Sequence, residues 1–139
     1  MKKRAIGIAT VQFIIFLLFF FLLSSTKSVD LAQTKQLNIT VEKIDYRRDF
    51  REYNLYMYDS TTEYRFSKGA LLAEYSGVYD VSNELNVGDT LTITYIEDCN
   101  VFGKYNLIID ACSIDVTYLS YERFNEGKHN ARIGISILF

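Results

Sequence analysis

Residues 5–23 form an apolar run, broken only by Thr10 and Gln12, that constrains this chain more than any other feature of its sequence. The run carries no charge, and fourteen of its nineteen residues are Leu, Ile, Phe or Val. A helix of that length spans about 28 Å at 1.5 Å per residue, close to the roughly 30 Å of a bilayer's hydrocarbon core. The sequence therefore predicts a transmembrane helix over residues 5–23.

The residues on either side of this run predict its orientation. The start of the chain, residues 1–4, holds three basic residues, which the positive-inside rule keeps in the cytoplasm. The rest is then exported, beginning with a polar stalk over residues 24–36. A cleaved signal peptide has a shorter apolar core and a small-x-small site, and residues 24–28 contain no Ala-x-Ala. These features favour an uncleaved anchor in the cell membrane. A secreted domain released by cleavage is the alternative.

Length and charge limit what the exported part can do. Its 116 residues suit one small domain. Three of the 15 Lys and Arg residues lie at the start, and all 17 Asp and Glu lie beyond residue 23, so the exported part has a net charge of −5. Nucleic-acid binding needs basic residues that neutralise phosphates. We therefore expect no nucleic acid among the partners, which we predict to be the lipid bilayer and another envelope protein, a peptide or a glycan.

Alternation of apolar and polar residues predicts a mainly β domain over residues 37–118. Leu91, Ile93 and Tyr95 alternate with threonines and give the clearest strand. The predicted strands are 37–41, with an extension to residue 46 as the alternative, 53–58, 63–67, 90–96 and 105–111, the last continuing after a bulge or a bend to residue 118. A charge-rich turn is predicted at 45–52, and a short helix at 68–79 with a further turn at 81–85.

Three strands, a short helix and two long strands match the element order of an OB-type barrel. The segment Val87-Gly-Asp-Thr-Leu-Thr-Ile93 contains a Gly-Asp turn of the kind that enters a barrel strand, and this turn is common in several small β folds. We predict an OB-like five-stranded barrel with one short helix. A small Greek-key sheet of another type is the alternative.

Residues 119–139 are predicted to form a polar helix that leads into a second apolar stretch. Ile133, Ile135 and Ile137 alternate with smaller residues, which suits a final strand. The interpretation we favour is the beginning of a truncated second membrane span, although the apolar stretch is far shorter than the roughly 20 residues needed to cross a bilayer.

With this layout the chain resembles small, mostly uncharacterised membrane proteins of Gram-positive bacteria, which carry an exported β domain between two membrane helices. The resemblance rests on the anchor and on three segments, Asn86-Val-Gly-Asp-Thr-Leu-Thr-Ile-Thr-Tyr95, Gly103-Lys-Tyr-Asn-Leu-Ile-Ile-Asp-Ala111 and Tyr118-Leu-Ser-Tyr-Glu122. It implies an OB-like domain next to one or two membrane helices and transfers no functional residue.

The chain contains few residues suited to catalysis. An envelope cysteine hydrolase or transpeptidase, as in sortase-like enzymes, would combine Cys99 or Cys112 with His129 and with Arg123 or Arg132. A nucleophilic thiol needs a base within hydrogen-bond reach, and in that family the His precedes the Cys, whereas here it follows. One His and two distant Cys also fall short of a zinc site. We predict no catalytic activity, cofactor or metal site, with the cysteine enzyme as the alternative.

An oxidising exterior permits a disulfide between the two cysteines, but their spacing argues against one. In a hairpin turning near Gly103, Cys99 would face about Asn106 and Cys112 would face about Ile93. Cα atoms more than about 7 Å apart cannot be bridged. We therefore expect free thiols.

The candidate ligand-binding residues are tyrosines on the second and third predicted strands, namely Tyr53, Tyr56, Tyr58 and Tyr64. OB-type barrels bind oligomers on an open sheet face that carries aromatic side chains, so a glycan or a peptide could stack there. The alternative is that these tyrosines fill the rim of the core and keep their hydroxyls in water.

Overall fold

The computed structural model describes residues 2–25, 27–49, 52–67, 78–100 and 103–138. Within those ranges, it does not describe the side chains of residues 2–6, 22, 25, 48, 49, 52, 53, 67, 78–80, 100 and 138. The described chain is mainly β, as predicted. Its helices are α1 (Lys2–Ser25), α2 (Val78–Glu84) and α3 (Tyr121–Leu138), and its strands are β1 (Lys35–Thr40), β2 (Lys43–Asp49), β3 (Glu52–Asp59), β4 (Thr62–Ser67), β5 (Thr90–Asn100), β6 (Gly103–Cys112) and β7 (Thr117–Leu119).

The seven strands form one sheet in the order β1-β5-β6-β4-β3-β2, with β7 also paired to β6. Among the strands of the described residues, only β4 and β6 pair in parallel. The two ends of this order, β1 and β2, are consecutive in the chain. Between them the Val41 amide donates to the Asp89 carbonyl and the Glu42 amide donates to the Tyr58 carbonyl. The chain from β1 to β2 therefore changes partner from β5 to β3 and connects the two ends of the sheet.

The core lies inside the sheet and also under α3. Leu107, Ile108 and Ile109 are consecutive in β6, and all three are buried. Neighbouring residues of a strand face opposite sides, so both sides of β6 are covered. Phe124 and Ala131 of α3 belong to the same hydrophobic cluster and provide cover on the second side.

Two glycines permit the turns that begin β5 and β6. Gly88 has φ +97° and Gly103 has φ +136°, conformations that other L-residues rarely adopt. Gly103 pairs with Asn100 at the end of the β5–β6 hairpin, which confirms the turn predicted there.

The predicted strands at 53–58, 63–67, 90–96 and 105–111 lie within β3, β4, β5 and β6, and the strand predicted at 37–41 overlaps β1. The charge-rich segment was expected to be a turn, and this was wrong for residues 45–49. They continue β2 and pair with β3. Ile44 packs against the core, whereas Asp45 and Arg47 lie on the other face of the strand. Of the helix predicted at 68–79, residues 68–77 lie outside the described residues.

Residues 121–138 are helical, so the alternative of a final strand was wrong. Phe124, Ala131 and Ile135 are buried at helical spacing, and the contact of α3 with the sheet stabilises the helix over the local alternation of isoleucines. After β6 the chain bends over residues 113–116, and β7, which contains Tyr118, then pairs back onto β6.

The segment predicted as a stalk makes specific contacts with α3. The Val29 amide donates to Asn125 Oδ1 at 3.0 Å, and the Val29 carbonyl accepts a hydrogen bond from the Tyr121 hydroxyl at 2.6 Å. A short 3-10 helix, Leu31–Gln33, follows and is capped by Asp30.

Helix α1 exposes its apolar side chains. Phe13, Phe16, Phe20 and Phe21 are each more than 60% exposed. The side chains described in α1 are those of residues 7–21, 23 and 24. Within the described part of the chain, no helix meets the combined length and hydropathy of a membrane span.

Candidate ligand-binding face

The structure separates the four candidate tyrosines. Tyr56, which is 7% exposed, and the half-buried Tyr58 share one face of β3. Tyr64 of β4 lies on the opposite face, belongs to the hydrophobic core and is 4% exposed. The Tyr64 ring contacts the Tyr95 ring edge-on, with centroids 5.2 Å apart. Tyr53 lies in β3, but its side chain is outside the description. Two of the four therefore share one face.

Arginines that sequence reasoning missed flank Tyr56. Its strand neighbours are Asp45 on β2 and Arg65 on β4. The guanidinium carbon of Arg47 lies 4.6 Å from the Tyr56 ring centroid, and that of Arg65 lies 5.8 Å from it. We call this surface the arginine–tyrosine face, defined by Lys43, Asp45, Arg47, Asn54, Tyr56, Tyr58, Glu63, Arg65 and Tyr105.

Arg47 engages both acidic residues of this face. Its Nη2 lies 2.8 Å from Asp45 Oδ2, and its Nη1 lies 3.9 Å from Glu63 Oε2. It also donates to the Tyr58 hydroxyl at 2.7 Å, and that hydroxyl donates to Glu63 at 2.6 Å. Burial and the bond to Glu63 raise the pKa of Tyr58 to about 12, so the phenol is neutral at physiological pH. The bond to Asp45 raises the pKa of Arg47.

Arg65 is held by neutral groups. Its Nε and Nη2 donate to Asn54 Oδ1 at 3.1 and 2.8 Å, and Asn54 is fully buried. The Tyr105 ring centroid lies 5.1 Å from the guanidinium carbon, on β6. The Tyr105 hydroxyl in turn donates to Asp98 at 3.0 Å, and burial raises its pKa. The guanidinium is thus fixed between two aromatic rings and a buried amide.

A buried lysine of α3 is influenced by Asp98, the carboxylate that accepts the hydrogen bond from Tyr105. Lys128 is 9% exposed, and its ammonium lies 5.4 Å from the Phe124 ring centroid. Desolvation lowers its pKa, and the charge of Asp98 partly opposes that effect.

A shallow groove of about 710 Å³ lies at the opposite end of β5. Asn38, Thr92 and Cys112 form a row across β1, β5 and β6 at its floor, and Thr92 donates to Asn38 at 2.7 Å. Ile114 lines it and is 97% exposed.

The residues proposed for cysteine chemistry are far apart in the sheet. Cys99 pairs with Lys104, near the hairpin turn, whereas Cys112 pairs with Thr92 at the other end, and both thiols are free. This agrees with the expectation of free thiols, although each predicted partner was displaced by one or two positions. His129 is exposed on α3, and no hydrogen bond joins it to either cysteine. In the described ranges, no three His, Cys, Asp or Glu residues form a group able to hold a metal.

The missed residues had a weak signal in the sequence. Lys43, Asp45 and Arg47 alternate with Ile44 and Tyr46, which is the pattern of a strand, but the density of charge suggested a turn. Arg65 and Tyr105 are distant in sequence and meet only through the parallel pairing of β4 with β6.

Comparisons with protein families, with curated proteins and with solved structures gave no match for this chain.

Proposed function

We propose that this protein is a membrane-anchored, extracytoplasmic interaction domain without catalytic activity, which binds its partner through the arginine–tyrosine face. The observation that carries the proposal is the arrangement of the exposed Arg47 and the half-buried Arg65 around Tyr56 on one face of the sheet. Tyr and Arg are the residues that contribute most to protein recognition, because they combine a large contact area with directed hydrogen bonds.

The pairing order supports an OB-type barrel. The β1–β2 segment corresponds to one long bent first strand, bordered by β3 on one side and β5 on the other. The remaining pairs, including the parallel pair β4–β6, follow the order expected of that fold, with a helix between its third and fourth strands. In OB-type barrels the second and third strands carry the ligand, and these correspond to β3 and β4.

The sequence and exposure of α1 support the anchor. Fourteen Leu, Ile, Phe and Val residues contribute roughly −4 to −8 kcal/mol to membrane insertion. Exposed phenyl rings lie on several sides of the helix. The similarity of layout to small Gram-positive membrane proteins stays a prediction, and so does a second membrane span that begins within residues 119–139.

Cys99 provides a test of location, because it is exposed and free. Intact bacterial cells that express the full chain are treated with a membrane-impermeant maleimide, and lysed cells serve as the reference. Cys99→Ser, which retains the half-buried Cys112, is the matched control.

We expect labelling of the wild type in intact cells, with most of it lost in Cys99→Ser. The chain should stay with the membranes at full length, since a secreted, cleaved form would appear in the medium and be shorter. Labelling that requires lysis would refute the exported location. Nucleic acid would then have to be considered again as a partner.

A further inference from the structure

We propose that the ligand of the arginine–tyrosine face is an acidic peptide segment of a protein partner, whose carboxylate binds Arg65. The inference rests on the proposed function and extends it by naming the chemistry of the partner. It follows from the distribution of charge on the face, from the geometry of Arg65 and from the occupied faces of the tyrosine rings.

The charge on the face is unevenly paired. Three cations, Lys43, Arg47 and Arg65, stand beside two acids, Asp45 and Glu63. Arg47 engages both acids. Among the described side chains, no carboxylate lies within ion-pair distance of Arg65 or Lys43. An otherwise acidic exported domain thus presents two unneutralised cations on one face, and charge complementarity favours an anionic partner.

The guanidinium of Arg65 is oriented for such a partner. It has five N–H donors, and Asn54 accepts from two of them through a single oxygen. Three donors therefore remain for a ligand. Because buried Asn54 and the rings of Tyr56 and Tyr105 already fix the side chain, binding costs little additional ordering. A planar guanidinium matches the two oxygens of a carboxylate.

The tyrosine rings favour a peptide over a sugar. Arg47 and Arg65 lie near Tyr56, and the Lys43 ammonium lies 5.1 Å from the Tyr58 ring centroid. Tyr56 itself is only 7% exposed. With the rings covered by cations, little aromatic surface is left for a pyranose ring to stack on, so the face presents hydrogen-bond donors and positive charge. Of the two ligands predicted from the sequence, a glycan or a peptide, we therefore propose the peptide.

The test measures binding of fluorescent glutamate oligomers to the full chain in detergent micelles. A glutamine oligomer of equal length tests the need for charge, and a polygalacturonate fragment of equal charge tests the peptide class. The variants are Arg65→Gln and Lys43→Gln. Lys104→Gln is the matched control, because it removes the same charge from an exposed residue of β6 next to Tyr105 but on the opposite face.

We expect Arg65→Gln to weaken glutamate binding about tenfold and Lys43→Gln about threefold, with Lys104→Gln unchanged. The glutamine oligomer and the polygalacturonate should bind more weakly than glutamate. Lys43 is an exposed side chain at the edge of the face, so its variant tests the proposal even if Arg65→Gln misfolds.

Equal losses in all three variants would show non-specific attraction and overturn the proposal. Tighter binding of the polygalacturonate would overturn the peptide class, and binding unaffected by Arg65→Gln and Lys43→Gln would overturn the site. None of these results affects the location test with Cys99. Failure of the peptide proposal can therefore be distinguished from failure of the proposed exported location.

Discussion

At the scale of single residues, each arginine of the candidate site has partners on other strands. Arg47 of β2 forms an ion pair with Glu63 of β4 across β3, and the Arg65 guanidinium lies near the Tyr105 ring of β6. Tyr56 and Tyr58 were predictable from the alternation of one strand, whereas the arginines depended on register, which local sequence does not determine. Tyr64 shows the same limit, because only the fold determines which side of β4 faces the core.

Lys128→Met is expected to stabilise the fold at neutral pH by on the order of 1 kcal/mol, since it removes a buried charge and keeps the apolar stem. The pKa of Lys128 is lowered in the folded protein. Between that value and the unfolded pKa near 10.5, the unfolded chain binds more protons, so wild-type stability rises with pH. Urea unfolding from neutral pH to about pH 9.5 should show the advantage of the variant shrinking.

Lys104→Met is the control for this prediction, because Lys104 is exposed on β6. It should change stability by less than about 0.5 kcal/mol at every pH. An advantage of Lys128→Met that is constant with pH would contradict the assignment to a buried ammonium.

At the scale of elements, α3 connects the segment after α1 to the sheet. Its first residue donates an amide to Asp110 of β6, and the Tyr121 hydroxyl and Asn125 both bond to Val29. Residues 24–36 were expected to be a simple stalk because they are polar and lack periodicity. Each of the two hydrogen bonds joins residues more than ninety positions apart in the sequence, so local composition could not predict them.

Tyr121→Phe should loosen this attachment, because the Val29 carbonyl loses its donor at a cost of about 1 kcal/mol. Hydrogen exchange of the full chain in micelles should become faster at the amides of residues 27–34, with the amides of β6 unchanged. Ser136→Ala, which removes a hydroxyl bonded only within α3, is the matched control and should leave this exchange unchanged. Equal acceleration in both variants would instead indicate general fraying of α3.

At the scale of the whole molecule, an exposed apolar helix adjoins a β body whose sheet ends are joined through Val41 and Glu42. The hydrophobic cluster includes side chains from the sheet, from α2 and from α3, so the body has a single core. The apolar surface of α1 stays largely outside that core. Its cover is therefore external to the body, and we propose the bilayer in that role.

Phe16→Arg should weaken membrane association, because an arginine near the middle of an inserted helix costs about 2.5 to 3.5 kcal/mol. Carbonate extraction of membranes should release more of this variant than of the wild type. Phe16→Leu is the control and should stay membrane-bound. If Phe16→Arg resists extraction as well as the wild type, α1 does not anchor the protein through lipid contacts.

The sequence by itself determined the apolar helix and most of the strands. These elements depend on residue type and on the short-range alternation of apolar and polar residues. Examples are the threonines that alternate with apolar residues in β5 and the uncharged apolar run in α1. Tertiary structure alone decided that residues 47–49 extend a strand and that Arg65 lies between Tyr56 and Tyr105. Each of these outcomes depends on strand pairing and burial between segments that are distant in sequence. The free energy of these contacts exceeds the local secondary-structure preference, and no single window of sequence encodes it.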